Sequence, residues 1–411
     1  MRRVHRGAFA SRLLADELGG LSKRDRSFVT DLLYGALRHE RYLLACLEPR
    51  LRSPDALPED VLGALQLAAY ELLVRGTARA VVVNEWVEAL KRYGKLAGLA
   101  NAVLRRLEPC EELPNAVRYS VPDALYADWL RLLGEADAER SARGMLEPEP
   151  LWLLAYPPEA GSPPEAGSPE VEARLAAEGC EPRPGPLPGT FAVRPPAPLP
   201  RLEAFRAGLV QAQNPSSVAV ARSLGAPPGA RVYDLASGYG VKTAQLAAAG
   251  CSVLSVEREK HKLAAARRNL ERLGLPLEGL AWDLRTAPPL PSAPFVLLDA
   301  PCSGTGTLRG HPEIKRRLNP EGVLELAELQ AQLLDTAAAL TAPGGRLLYA
   351  VCALTEAETT AQVAAFLTRR PEFSVLAAPQ LLSGPARPEG RFILPENGLD
   401  GFFIALLERS P

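Results

Sequence analysis

Two apolar runs that each end in a cysteine constrain the fold of this chain most. The first, Phe295-Val296-Leu297-Leu298, is continuous rather than alternating, the pattern of a strand buried on both faces of a parallel sheet. Asp299-Ala300-Pro301-Cys302 follows, and because Pro301 has no N–H for a strand ladder, the strand ends there. Ser303-Gly304-Thr305-Gly306 reads as a loop. The second run, Arg346-Leu347-Leu348-Tyr349-Ala350-Val351, follows a Pro343-Gly344-Gly345 turn and ends in Cys352. In open parallel sheets ligands bind just beyond the carboxyl ends of the strands. Asp299, Cys302 and Cys352 all fall there, and if the two strands are neighbours both thiols face one cleft.

Upstream, Ala230 to Thr243 reads as a strand, a glycine turn (Ala236-Ser237-Gly238-Tyr239-Gly240) and the start of a helix. Glycine lets the backbone pass close to a ligand, and the helix start offers amide N–H groups. A second strand, Ser252 to Glu257, ends in a carboxylate suited to a ribose diol, and Asp283 follows a third. Each acidic residue alone is as well explained as a helix cap or surface charge. Their order, one after each strand, favours a nucleoside cofactor, with S-adenosylmethionine and NAD both compatible.

Two thiols at strand ends suit the methylation of cytosine at C5. That carbon is too electron-poor to attack a methyl donor, but a thiolate adding to C6 makes it nucleophilic; afterwards the C5 proton must leave and the thiol must be expelled. A free thiol has a pKa of about 8.5, so only a few per cent is thiolate at neutral pH, and a nearby base or the positive end of a helix would raise that fraction. The alternative is a pair of buried structural cysteines, since free Cys is among the most buried residue types.

LLDAPCSGTGTLRGHPEIK and YAVCALTEAE resemble motifs IV and VI of the RNA cytosine-5 methyltransferases of the Nol1/Nop2/Sun family. The resemblance implies that Cys352 is the nucleophile, that Cys302 assists product release, and that Asp299 holds the N3/N4 edge of the cytosine. It implies S-adenosylmethionine as cofactor, with Ala236, Ser237, Gly238, Tyr239, Gly240, Val241, Lys242, Glu257, Asp283 and Asp299 around it, and Lys315 of the HPxIK pattern toward the RNA. The chain departs from the family in two places. DxCAAPGGKT is replaced by Asp234-Leu-Ala-Ser-Gly-Tyr-Gly-Val-Lys242-Thr243, which fits the broader D-x-A-x-G-x-G pattern of class I methyltransferases, and Thr-Cys-Ser-x-x-Pro-Glu by Val351-Cys352-Ala353-Leu354-Thr355-Glu356, with Glu356 taken as the retained acid. Val210-Gln211-Ala212-Gln213-Asn214 resembles the family's VQDxxS, and Leu399 to Ala405 its closing DGFF strand.

Residues 1–108 read as about six helices, with apolar residues at three- and four-residue spacing and Ser22 as an N-cap three residues before Asp25. DRSFVTDLLYGALRH, LQLAAYELL, VNEWVEALKRYG and NAVLRRL resemble NusB, an RNA-binding antitermination factor. That likeness implies phosphate contacts from residues such as Arg24 and Arg26; the alternative is that they pair on the bundle surface. The block carries 18 Lys/Arg against 13 Asp/Glu in a chain whose net charge is −1, so the basic excess is local and modest. Residues 145–200 hold 15 of the 39 prolines and repeat PPEAGS at 157–162 and 163–168, a composition that packs little.

Six cysteines without CxxC spacing and four histidines argue against a disulfide framework and a metal site, and no apolar run has membrane length. The expected organisation is a NusB-like helical RNA-binding domain (1–140), a proline-rich linker with a small α/β RNA-binding subdomain (141–208), and an α/β class I methyltransferase domain with a seven-stranded, mostly parallel sheet (209–411). The pairing resembles bacterial enzymes acting on 16S ribosomal RNA and implies a monomeric cytoplasmic methyltransferase. Transfer RNA as substrate, or a non-catalytic RNA-binding or ribosome assembly factor, are the rivals.

Overall fold

The computed structural model describes residues 1–53, 56–148, 150–156 and 168–411. The PPEAGS repeat lies outside the described residues except for its last serine. The chain divides into two units, Met1–Pro148 with Thr307–Leu318, and Glu149–Gly306 with Asn319–Pro411.

The first unit is helical. Lys23–Arg38 begins where expected, with the Ser22 hydroxyl accepting from the Asp25 amide at 3.2 Å. The central helix, Glu59–Leu73, buries Val61, Leu65, Ala68 and Ala69 against Leu32, Leu43 and Leu104. The excursion 307–318 also belongs to this unit. Arg309 is buried and donates to the Gly144 carbonyl at 3.0 Å, while Arg38 donates to the Arg309 carbonyl at 2.8 Å. Lys315 donates to the Arg38 carbonyl at 2.7 Å, and Arg316 forks onto the buried Glu40. Hydrogen bonds from His5 and Arg316 overcome the upward push of burial and hold Glu40 at about 2.

The second unit has two sheets. The smaller is antiparallel, ordered β2-β3-β1-β4, from β1 (Leu151–Ala155), β2 (Arg183–Pro184), β3 (Thr190–Val193) and β4 (Val210–Ala212). Its inward face packs Leu153, Ala155 and Phe191 on the helix Ser168–Ala177 through Val171 and Leu175. The described residues 150–156 and 168–200 thus belong with the second unit in this division.

Among the described residues the larger sheet has nine strands, the expected seven and two more. Its parallel part comprises β5 (Arg231–Leu235), β6 (Ser252–Glu257), β7 (Glu278–Ala281), β8 (Ala293–Asp299) and β9 (Thr341–Val351), in the order β9-β8-β5-β6-β7. The chain steps outward from β5 through β6 to β7, then returns to the other side of β5 as β8. That reversal makes a crevice at the carboxyl ends of β5 and β8. β10 (Phe373–Leu376) and β13 (Phe402–Arg409) complete the expected seven, with β13 antiparallel to β9. The two additional strands are a short hairpin, β11 (Ala386–Arg387) and β12 (Gly390–Ile393), laid on the free edge of β13. Its residues carry no alternating pattern long enough to announce it. Among the described residues, no helix is long and apolar enough to cross a membrane.

Candidate active site

β8 and β9 are neighbours, with Asp299 paired to Ala350 at their carboxyl ends. The ladder continues one step through the Ala300 amide to the Ala350 carbonyl at 2.9 Å, after which Pro301 stops it. The loop then folds over the end of β9. The Gly306 amide donates to the Cys352 carbonyl at 2.9 Å, and the Gly401 amide to the Gly306 carbonyl at 2.8 Å. A Cβ on Gly306 would run into the Gly401 carbonyl, so only glycine permits this approach. The result is a Cys302 Sγ to Cys352 Sγ distance of 3.3 Å. The hydrogen bond to Cys352, burial and the nearby Cys352 and Glu358 charges push the Cys302 thiol well above its ordinary range.

Lys242 stands beside them. Gly240, at φ +73°, turns the chain into the helix Val241–Ala248, and Lys242 from its first turn ion-pairs with Asp299 at 2.5 Å. Burial opposes its charge, but Asp299, Asp234 and Cys352 outweigh burial and raise its pKa, so the amine stays an ammonium within electrostatic reach of Cys352. Asp234, on β5, accepts from the Thr243 hydroxyl at 2.5 Å, while its other oxygen is buried and has no hydrogen-bond partner among the described residues. Burial pushes its carboxyl up to about 7.

Two cavities meet here. The larger, about 660 Å³, is lined by Trp152, Asn214, Asp234, Ala236, Ser237, Gly238, Tyr239, Val241, Lys242, Asp299 and Asp400. The smaller, about 300 Å³, is lined by Ala236, Gly238, Glu257, Lys262, Trp282, Asp283, Leu284, Asp299, Pro301 and Leu333. Ala236, Gly238 and Asp299 wall both. Glu257 accepts from the Gly238 amide at 2.8 Å and the Glu259 amide at 2.9 Å, which fixes its carboxylate at the rim of the glycine turn. Asp283 is gripped by the Arg285 side chain and amide, which hold its carboxyl at about 2.

Of the residues singled out in the sequence, Cys302, Cys352, Asp299, the glycine turn, Lys242, Glu257 and Asp283 gather at the carboxyl edge of the large sheet. Cys302, Cys352 and Gly240 line neither cavity; at Gly240 a Cβ would press on Ala266. Lys315 belongs to the helical unit, where it is half-buried, and desolvation lowers its amine to about 7. Arg24 and Arg26 are exposed on that unit. Glu356 is exposed, whereas Glu358, two residues on, is fully buried. Sequence reasoning fixed on the first glutamate after Cys352 and passed over the second; a buried partner for the Ser303 loop was the missing signal.

Residues 221–408 match the family described as 16S rRNA methyltransferase RsmB/F, and residues 3–109 match the NusB family. Ribosomal RNA small subunit methyltransferase B of Thermus thermophilus is 42% identical over 99% of this chain and 95% of its own length. The chain belongs to the RsmB/F family of rRNA methyltransferases. The enzyme of the same name from Pseudomonas putida is 32% identical over 96% of this chain and 93% of its own length. A solved structure, that of PH0851, has the same fold, with a TM-score of 0.75 at 23% identity over 96% of this chain and 92% of the other. Within an RsmB/F-family enzyme, the candidate site is the thiol pair beside the cavities rather than in their lining: Asp299, which lines both, ends the strand that leads to Cys302, and its partner Lys242, which lines the larger, acts electrostatically on Cys352.

Proposed function

We propose that the chain transfers a methyl group from S-adenosylmethionine to C5 of a cytidine in 16S ribosomal RNA through a covalent bond between Cys352 and C6. The observation that carries this is the contact of the two thiols at the ends of β8 and β9, beside a buried ammonium.

The donor set fits the cofactor. Glu257 offers a carboxylate to a ribose diol, Asp283 and Trp282 border the same cavity, and the unpartnered oxygen of Asp234 offers a negative group to a cationic ligand. When bound, S-adenosylmethionine supplies an electrophilic methyl group on a sulfonium.

The target base must leave its stack to expose C6. The larger cavity, walled by three carboxylates and one lysine among its charged groups, suits a base edge with its amino group better than a phosphate. Asp299 accepts from the cytosine edge, and Lys242 steadies both Asp299 and a thiolate on Cys352. Cys352 adds to C6, and the electron pair of the C5–C6 double bond moves to C5. After C5 is methylated its proton passes to solvent, the double bond re-forms, and the Cys352 thiolate is expelled. Cys302, 3.3 Å away and protonated, donates a hydrogen bond to the departing sulfur. Ribosomal RNA as substrate places the reaction in the cytoplasm.

Titration calorimetry with S-adenosylmethionine tests the donor; absence of binding would favour a non-catalytic RNA-binding factor. Bisulfite sequencing of ribosomal and transfer RNA from a deletion strain tests the substrate, and loss of a 5-methylcytidine confined to transfer RNA would overturn it.

A further inference from the structure

Glu358 is a fully buried carboxylate that the chemistry above does not use. Its Oε1 accepts from the Ser303 amide at 2.8 Å and from Gln330 Nε2 at 3.1 Å. Its Oε2 accepts from the Ser303 hydroxyl at 2.5 Å and the Thr355 hydroxyl at 2.7 Å. No Lys, Arg or His nitrogen pairs with it among the described residues. Two N–H groups that can only donate and two hydroxyls turned toward it form the surroundings of an ionised carboxylate. Burying such a charge without a cation is costly and needs a compensating purpose.

We infer that Glu358 is the positioning residue that assigns the two cysteines their separate roles, clamping their loops at contact distance and setting a fixed negative charge on the Cys302 side. This rests on the proposed division of labour between the cysteines. Ser303 follows Cys302 in one loop, Thr355 follows Cys352 in the other, and Gln330 projects from the helix Pro320–Leu340 behind both. One carboxylate therefore ties three segments together. The Tyr349 hydroxyl closes the network, bonding to the Glu358 carbonyl at 2.8 Å and to Gln330 at 3.0 Å.

The charges around the thiols are unequal. The charged groups acting on Cys302 are Cys352 and Glu358, both negative when ionised; a hydrogen bond from the Gly304 backbone opposes them more weakly, and Tyr349 behind them is kept neutral by burial. Lys242, itself paired with Asp299, acts on Cys352. These charges hold the proton on Cys302. Swapping either charge would blur which sulfur attacks.

The test compares Glu358→Gln with Glu358→Ala in the full-length protein. Glutamine keeps the shape of the clamp, its oxygen facing the two N–H donors and its amide the two hydroxyls, but removes the charge. Alkylation of each cysteine by iodoacetamide, followed across pH by peptide mapping, needs neither RNA nor cofactor. In Glu358→Gln the pH midpoint of Cys302 alkylation falls, its neutral-pH reactivity rises on the order of tenfold, and melting temperature changes little. In Glu358→Ala both loops loosen and melting temperature drops; if that variant does not fold, Glu358→Gln still decides. An unchanged Cys302 profile in Glu358→Gln overturns the inference. Failure of Cys302→Ala to trap RNA would instead overturn the assignment of the cysteines, so the two failures are distinguishable.

Discussion

Cys302 and Cys352 sit with their sulfurs 3.3 Å apart, although 50 residues separate them in the chain. Their loops leave neighbouring parallel strands at the same level, which brings the two sulfurs into contact. If Cys352 forms the bond to C6 and Cys302 helps break it, the single substitutions behave oppositely. Cys302→Ala accumulates a protein–RNA adduct that survives denaturing electrophoresis, whereas Cys352→Ala forms none and loses methylation by more than about 10³-fold. Labelled methyl incorporation and gel shift, run together on ribosomal RNA, check both. Adduct formation by Cys352→Ala alone would exchange the roles.

The Lys242–Asp299 pair has one partner nearly buried and the other about a third exposed, with side-chain exposures of 10% and 30%. Asp299→Ala leaves an ammonium buried without its carboxylate, a loss of about 2 kcal/mol after allowing for solvent at Asp299. Lys242→Met removes the orphaned charge, so the double variant is more stable than the sum of the singles predicts. A coupling energy of about 1 kcal/mol or more in urea unfolding is the expected result; additivity would show the pair to be energetically idle. Both singles lose methylation.

Gly306 carries a sharper geometric demand. With the Gly401 carbonyl and the Cys352 carbonyl both crowding its Cα, Gly306→Ala cannot keep the loop in place. The loop must lift, breaking its hydrogen bonds to Cys352 and Gly401. The expected outcome is a fall in melting temperature together with a loss of Cys302–Cys352 proximity, read as slower disulfide formation under mild oxidant. Gly304→Ala offers a comparison within the same loop, where the strain comes from a left-handed backbone at φ +72°.

The strands that carry the chemistry were legible because each is a run of apolar residues closed by a breaker: Val296 to Leu298 before Pro301, and Leu347 to Val351 before Cys352. The helix start at Ser22 was legible for a similar reason, a side chain whose hydrogen bond is local in sequence. What escaped was non-local. Beside the local Thr355 hydroxyl, Glu358 takes donors from Ser303 and Gln330, 55 and 28 residues away along the chain, which no local pattern shows. Lys315 was read with the catalytic strands it follows, but its amine is satisfied by the Arg38 carbonyl, 277 residues earlier. The β11–β12 hairpin pairs only two residues from each strand, too few for any periodicity to show.

Asp234 gives the clearest dependence on pH. Its carboxyl titrates near 3.9 in an unfolded chain and at about 7 in the fold, because burial disfavours the charged form. Between those values the folded state holds a proton that the unfolded state has released. Stability from this group is therefore greatest below about pH 4, falls as pH rises toward 7, and stays reduced above it, by at most about 4 kcal/mol at roughly 1.4 kcal/mol per pH unit. Asp234→Asn cannot ionise, yet its side-chain oxygen can still accept from the Thr243 hydroxyl. Measured by urea unfolding without cofactor, the variant gains on the native protein as pH is raised from 4 to 7, and the gain then levels off. Parallel stability curves for the two proteins across that window would mean that Asp234 is already ionised in the fold.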